Sequence, residues 1–107
     1  MQIVDFVEAW WFSIRLILEP IGITGRFERS PDNRPNPSCA LNLRRNELET
    51  DLLIWESGEA ELSVAAADGS IRMQHFEDVR KQPDIGILFS QAILSILDNQ
   101  SDSSSKL

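Results

Sequence analysis

Apolar side chains recur at helical spacing through the first part of the chain. Between Gln2 and Leu18 they fall on one side of a helix, and charged residues fill the opposite side. The apolar set is Ile3, Val4, Val7, Trp10, Trp11, Ile14, Ile17 and Leu18. This spacing predicts an amphipathic helix that ends at Pro20 and Gly22, with both tryptophans packed into the core.

From residue 39 the apolar period changes to two, the period of a strand with one buried face. Residues 21–29 are a weaker strand candidate because Gly22 and Gly25 interrupt them. Residues 30–37, which follow and contain three prolines, are predicted to form a loop, here called the Pro-rich segment. Four successive strands are expected, and their inward positions are Cys39, Leu41 and Leu43; Leu48, Thr50, Leu52 and Ile54; Ala60, Leu62, Val64 and Ala66; and Ile71, Met73 and His75.

The turns determine which side chains of neighbouring strands face each other. Two-residue turns are expected at Arg45-Asn46 and at Asp68-Gly69, since asparagine and glycine tolerate the backbone that tight hairpins require. Both keep apolar side chains on one face of the sheet. The predicted pairs are Leu43 with Leu48, Leu41 with Thr50, Ala66 with Ile71, and Val64 with Met73.

The middle turn has two alternatives. A two-residue turn at Ser57-Gly58 would place Asp51 opposite Val64, inside the apolar row. A three-residue loop of residues 56–58, with Gly58 in the left-handed conformation of a bulge, avoids this and is preferred. The preferred loop pairs Ile54 with Ala60 and Leu52 with Leu62.

A second helix is predicted after residues 77–82. Pro83 and Asp84 suit a first helical turn. Proline has no N–H, but an N–H at this position has no partner within the helix, and an acid complements the helix dipole. The tail 99–107, rich in serine and acids, is expected to be disordered beyond a single domain of residues 1–98. The apolar stripe of this helix is Ile85, Leu88, Phe89, Ala92, Ile93 and Ile96.

These elements predict an α+β fold. A four-stranded antiparallel β-meander carries the N-terminal and C-terminal helices on one face. The opposite face, here called the open face, is left to solvent.

Composition narrows the class of partner. The chain has 107 residues, and 17 acids against 10 bases leave a net charge of −7. Nucleic acid is therefore not expected as a partner, whereas a protein with a basic surface is. The apolar N-terminal run is too short and too charged for a membrane span or a signal peptide, and the single cysteine suits a reducing cytoplasm. We expect a monomer or a weak homodimer.

Candidate chemistry is sparse. His75 and Cys39 fall at inward positions, where structural roles are expected, and they do not form a catalytic pair on sequence grounds. Glu47, Glu49 and Asp51 have the oxygen donors that a hard cation prefers, but strand carboxylates without a ligating loop seldom bind one. No catalytic residue, metal or cofactor is expected, and the chain is not predicted to be an enzyme.

The open face carries the most informative pattern. Acids surround an outward Leu53 and Trp55, which is consistent with a solvated sheet face, or with an interface whose aromatic anchor is ringed by carboxylates. A different register would instead bury Trp55. The candidate partner-binding residues are Glu47, Glu49, Asp51, Leu53, Trp55, Glu59, Glu61, Arg72 and Phe76.

Three stretches resemble a known family. The runs Pro37–Leu43 and Leu52–Leu62, followed by Gln74-His75-Phe76, resemble the TriTu family of bacterial immunity proteins. The resemblance implies a cytoplasmic inhibitor that binds a cognate polymorphic toxin of interbacterial competition, of the kind delivered by type VI secretion. It further implies an ADP-ribosyltransferase toxin that acts on elongation factor Tu and is blocked at its active site or its access to the target. The alternative is a non-enzymatic adaptor or chaperone-like protein that binds a basic bacterial partner.

Overall fold

A computed structural model describes residues 2–31, 33–81 and 84–105, with side chains described except at residues 84 and 98–105. The chain folds as α1 (Ile3–Leu18), a short 3₁₀ turn (Glu19–Ile21), β1 (Thr24–Arg29), β2 (Ser38–Arg45), β3 (Leu48–Trp55), β4 (Ala60–Ala65), β5 (Ile71–Phe76) and α2 (Asp84–Ser105). The strands form one antiparallel sheet in the order β1-β2-β3-β4-β5.

The α+β class and the placement of both helices on one face are as predicted. Helix α1 lies over β1, β2 and β3, and α2 lies over β2, β3 and β4. Their apolar stripes, apart from Ile17, which is exposed, meet the inward side chains of the sheet in one buried cluster. Trp10 stacks on Phe89 with ring centroids 4.1 Å apart, so the two helices also contact each other.

The sheet has five strands, so the four-stranded prediction is wrong. The additional strand is β1, whose glycine at position 25 weakened the sequence signal. Gly25 lies directly beneath the indole of Trp11, and a Cβ atom at this position would collide with that ring. The glycine therefore permits close packing of α1 on the strand and does not interrupt it.

The predicted three-residue loop between β3 and β4 is confirmed. Ile54 pairs with Ala60 and Leu52 with Leu62. Gly58 adopts a left-handed φ of 102°, and its N–H donates to the Trp55 carbonyl at 2.9 Å. The acid-containing alternative register is thereby excluded.

The other two turns differ from the prediction. The β2–β3 turn is formed by Asn46 and Glu47, with Asn46 at a φ of 57°, so Leu43 pairs with Thr50 and keeps its predicted face. The β4–β5 turn is a three-residue loop of residues 67–69, because Ala66 and Ser70 close it. The one-residue shift pairs Ala65 with Ile71 and turns every side chain of β5 to the face opposite the predicted one.

Helix α2 begins at Asp84, and the predicted start at Pro83 lies outside the described residues. The helix continues to Ser105, past the predicted domain end at residue 98. Disorder of the 99–107 tail in solution stays a prediction, and residues 106 and 107 lie outside the described residues. The buried part of the predicted stripe is Leu88, Phe89, Ala92 and Ile96.

A buried hydroxyl pair also joins α2 to the sheet. The Thr50 side chain, fully buried on β3, lies 2.8 Å from the Ser95 hydroxyl, which donates to the Ala92 carbonyl at 2.7 Å. Thr50 therefore donates to Ser95 and is satisfied inside the apolar cluster.

The loop between β3 and β4, residues 56–58, connects distant parts of the chain. The Glu56 carboxylate accepts the backbone N–H of Val4 at 2.6 Å, in the first turn of α1. Helix α1 has no side-chain cap from its own N-cap residue, so Glu56 satisfies a free donor and places a negative charge at the positive end of the helix dipole.

The same loop holds two further segments. The Ser57 N–H donates to the Asn36 side chain at 3.1 Å, and the Glu56 N–H donates to the Pro37 carbonyl at 2.8 Å. On the other side the Val79 N–H donates to the Gly58 carbonyl at 2.8 Å. The loop thus fixes the Pro-rich segment and the segment that follows β5.

We predict that Gly25→Ala destabilises the fold by roughly 1–3 kcal/mol, because the added methyl overpacks against Trp11. Gly86→Ala is the matched control. Gly86 lies in α2 with open space around it, and alanine there should stabilise by about 0.5–1 kcal/mol. Urea unfolding measures both, and equal effects of the two changes would contradict the close packing of Trp11 on β1.

We also predict that Gly58→Ala costs more than Gly69→Ala. Both glycines have a left-handed φ, which costs an alanine about 1–2 kcal/mol. Gly69 faces open space, whereas a Cβ at Gly58 would meet the Asp78 carboxylate and the Arg80 guanidinium. Thermal unfolding of the two variants measures the difference, and Gly58→Ala should have the lower Tm because the Asp78 and Arg80 side chains must shift to admit the methyl group.

Candidate partner-binding face

The open face consists of side chains from all five strands, opposite the two helices. The register arranges them in rows across the sheet, with a shorter row of Ser38, Trp55 and Glu59 at one end. The three full rows are Thr24, Arg44, Glu49, Ala65 and Ile71; Arg26, Asn42, Asp51, Ser63 and Met73; and Glu28, Ala40, Leu53, Glu61 and His75.

Leu53 and Trp55 are half-buried side chains on this face. They lie there because Leu52 and Ile54 of the same strand face the core, and the loop with left-handed Gly58 sets Glu61 of β4 beside Leu53. Trp55 precedes the loop directly, and its N–H donates to the Glu59 carbonyl at 2.9 Å. The outward placement of both residues is as predicted, and the core alternative for Trp55 is excluded.

The acids at one end of the face are held by the chain itself. The Asn42 amide donates to Glu49 at 2.6 Å and to Asp51 at 2.7 Å. Arg44 donates to Glu49 at 3.2 Å and forms an ion pair with it. These hydrogen bonds fix Glu49 and Asp51 in place, so a partner that binds them must share or replace the contacts with Asn42 and Arg44.

The acids at the other end have fewer internal contacts. The His75 Nε2 atom lies 4.0 Å from a Glu59 carboxylate oxygen. Glu61 faces His75 across the strands and makes no hydrogen bond or ion pair with any residue that the structure describes. Of the acids on the open face, Glu59 and Glu61 are therefore the most available to an external cation.

Three predicted site residues lie away from this face. Glu47 is in the β2–β3 turn and exposed. Arg72 and Phe76 lie on the helix side of β5, because the one-residue shift reversed this strand, and Phe76 packs against the core. The structure brings together the other six, which are Glu49, Asp51, Leu53, Trp55, Glu59 and Glu61.

Sequence reasoning missed three residues that take the place of Arg72 and Phe76. Ile71, Met73 and His75 occupy the open face of β5, and Ile71 and Met73 are 65% and 67% exposed. The sequence Ala67-Asp68-Gly69 could have indicated their position, because it suits a three-residue loop with glycine last, as in the loop of residues 56–58.

Cys39 is a buried core residue, as predicted. Burial raises the pKa of its thiol to about 12, so it carries no appreciable thiolate at neutral pH. Within the described ranges, no three His, Cys, Asp or Glu side chains cluster closely enough to bind a metal ion.

A shallow cavity of about 370 Å³ adjoins the face at the end of β5. It is lined by His75, Phe76 and residues of the following segment, including Glu77 and Lys81. In that segment the Arg80 guanidinium donates to Asp78 at 2.8 Å and 2.9 Å, and these hydrogen bonds lower the pKa of Asp78 to about 2. Asp78 thus remains ionised at neutral pH, and the backbone hydrogen bond from Val79 to the Gly58 carbonyl holds the segment against the loop.

Neither described helix combines the length and the apolar character needed to span a membrane.

No curated protein and no solved structure matches the chain. The model of one protein family does match it, under the description "Immunity protein TriTu", over residues 5–94. The match extends from α1 through all five strands into α2 and so covers the entire open face. The chain therefore belongs to the TriTu family of immunity proteins, which neutralise toxins and are generally not enzymes.

Proposed function

We propose that this protein binds a cognate ADP-ribosyltransferase toxin through the open face and blocks either its active site or its access to the target. Membership of an immunity family supports toxin neutralisation. The observation that carries the choice of surface is the half-buried Leu53 and Trp55 among Glu49, Asp51 and Glu61. Binding would occur in the cytoplasm of the producing bacterium, before the toxin reaches the translation machinery.

The charge of the face favours a toxin with a basic surface. The chain carries −7 overall, and opposite fields speed encounter and disfavour wrong partners. Glu61 gains most from a cation, because it has no partner among the described residues. Glu49 and Asp51 add fixed negative charge, since Asn42 already orients both carboxylates.

Leu53 and Trp55 would supply the apolar centre of the interface. Aromatic side chains that become fully buried on binding often dominate the affinity, and surrounding polar groups exclude water from them. Trp55 is held in place because its own backbone closes the loop at Glu59. A rigid anchor loses little conformational entropy when the toxin binds.

Co-expression tests this function. Production of the toxin encoded beside this gene should arrest growth of a host cell, and this protein should restore growth and co-purify with the toxin. An adaptor or chaperone-like protein would use the same face without restoring growth. Failure to rescue the host from any neighbouring toxin would exclude the immunity function for this chain.

We predict that Trp55→Ala combined with Glu49→Lys and Glu61→Lys weakens toxin binding at least ~30-fold, which corresponds to about 2 kcal/mol. Calorimetry with a catalytically inactive toxin measures the affinity, and circular dichroism verifies the fold. Glu19→Lys combined with Glu47→Lys is the matched control, because it makes the same two charge reversals at exposed sites off the open face. Unchanged affinity of the triple variant would place the interface elsewhere.

A further inference from the structure

Strand β5 is an edge strand with little cover on either face. It pairs with β4 on one side, and no other strand of the described residues lies on its outer side. Residues 71–75 are all exposed, and they include the two most exposed apolar side chains of the sheet, Ile71 and Met73. An exposed edge with apolar side chains is a surface on which another strand can pair.

The hydrogen-bond pattern shows which backbone groups of β5 are available. The Ala66 N–H donates to the Ser70 carbonyl at 2.9 Å. In an antiparallel ladder, hydrogen-bonded pairs alternate with non-bonded pairs, so Arg72, Gln74 and Phe76 bond to β4. The N–H and C=O groups of Ile71, Met73 and His75 consequently point away from the sheet. Their side chains lie on the open face, beside the outward backbone groups.

The opposite edge of the sheet is different. On β1 the open face carries Arg26 and Glu28, which form an ion pair at 3.0 Å. Arg29 is tied to α1 through Asp5 at 2.9 Å and Glu8 at 2.7 Å. Charged side chains are a common means of preventing strand addition. The β1 edge has this protection, and the apolar positions Ile71 and Met73 of β5 do not.

We propose that an extended segment of the toxin adds to the sheet beside β5, with apolar side chains against Ile71 and Met73 and a basic side chain toward Glu59 and Glu61. This rests on the proposed function and names the part of the partner that is bound. Backbone hydrogen bonds to Ile71, Met73 and His75 give affinity, and the side chains of the open face give specificity. The added strand extends the interface from Trp55 to the edge of the sheet.

Charge decides between a toxin segment and a second copy of this chain. An added strand lies about two strand spacings, ~10 Å, from β4, which is close to one Debye length, so opposite charges still attract there in a salt-dependent way. A basic segment is attracted there by Glu59 and Glu61. Two copies of a chain of charge −7, joined at β5, would bring two acidic faces together. The occupant is therefore a basic and apolar segment of the toxin.

Amide hydrogen exchange, read by NMR, tests the pairing directly. In the free protein the amides of Ile71, Met73 and His75 should exchange rapidly, while those of Arg72 and Gln74 are protected by β4. Binding of the catalytically inactive toxin encoded by the neighbouring gene should slow exchange at Ile71, Met73 and His75 at least ~100-fold, as expected for amides that gain hydrogen bonds in a stable complex. Unchanged exchange at these three amides in a saturated complex would overturn the proposal.

Side-chain and backbone variants provide a second test. Ile71→Lys with Met73→Lys should weaken toxin binding at least ~30-fold, because like charges then meet a basic segment. Ile17→Lys with Leu16→Lys is the matched control, since these α1 side chains are 65% and 69% exposed and lie away from the sheet edge. Met73→Pro removes an outward N–H that β4 does not use, and it should weaken binding more than Met73→Ala.

The outcomes separate the two proposals. Loss of binding in the β5 variants with normal binding of the α1 control supports strand addition. Equal binding by all variants, with growth still rescued by the wild type, overturns strand addition and leaves the immunity function in place. No binding by the wild type refutes the proposed function itself. Protection of the three amides in the free protein, rising with its concentration, would identify a second copy as the occupant and overturn the assignment to the toxin.

Discussion

The contact between Glu56 and the first turn of α1 is the constraint on which much of this structure depends. A helix leaves its first amides without partners, and here a carboxylate from a distant loop accepts the Val4 N–H at 2.6 Å. Gly58, in a left-handed conformation, closes the loop that carries Glu56, and its carbonyl accepts the Val79 N–H at 2.8 Å. Helix α1, the Pro-rich segment and the segment after β5 therefore all meet at one turn.

The same turn determines which side chains share the functional surface. A three-residue loop sets the pairing of β3 with β4, and that pairing puts Glu61 beside Leu53 on the face opposite the helices. Each residue of the sequence Trp-Glu-Ser-Gly-Glu, residues 55–59, makes a different contribution. Trp55 contributes to the face, Glu56 caps α1, Ser57 binds Asn36, Gly58 permits the turn, and Glu59 closes the loop and lies near His75.

The two edges of the sheet show how side chains control access to backbone groups. On β1, Trp11 lies against Gly25 on one face, and the Arg26–Glu28 pair lies on the other. On β5, residues 71–75 are exposed, and these include the large apolar side chains of Ile71 and Met73. The anionic open face thus continues into an apolar edge, a combination that suits a basic, extended partner segment.

Local periodicity was enough to predict that both helices exist and which faces of β2, β3 and β4 are buried. It also predicted the outward position of Trp55, because each of these features depends on short-range spacing. It could not determine which face of β5 is inward. One loop length turns Ile71 and Met73 inward and the other turns Phe76 inward, so both leave an apolar residue on the inner face. It gave β1 only as a weak strand candidate, since the role of Gly25 depends on Trp11, which is distant in sequence. Only the tertiary structure decided these points and the capping of α1 by Glu56, because each depends on contacts between segments that chain spacing does not encode.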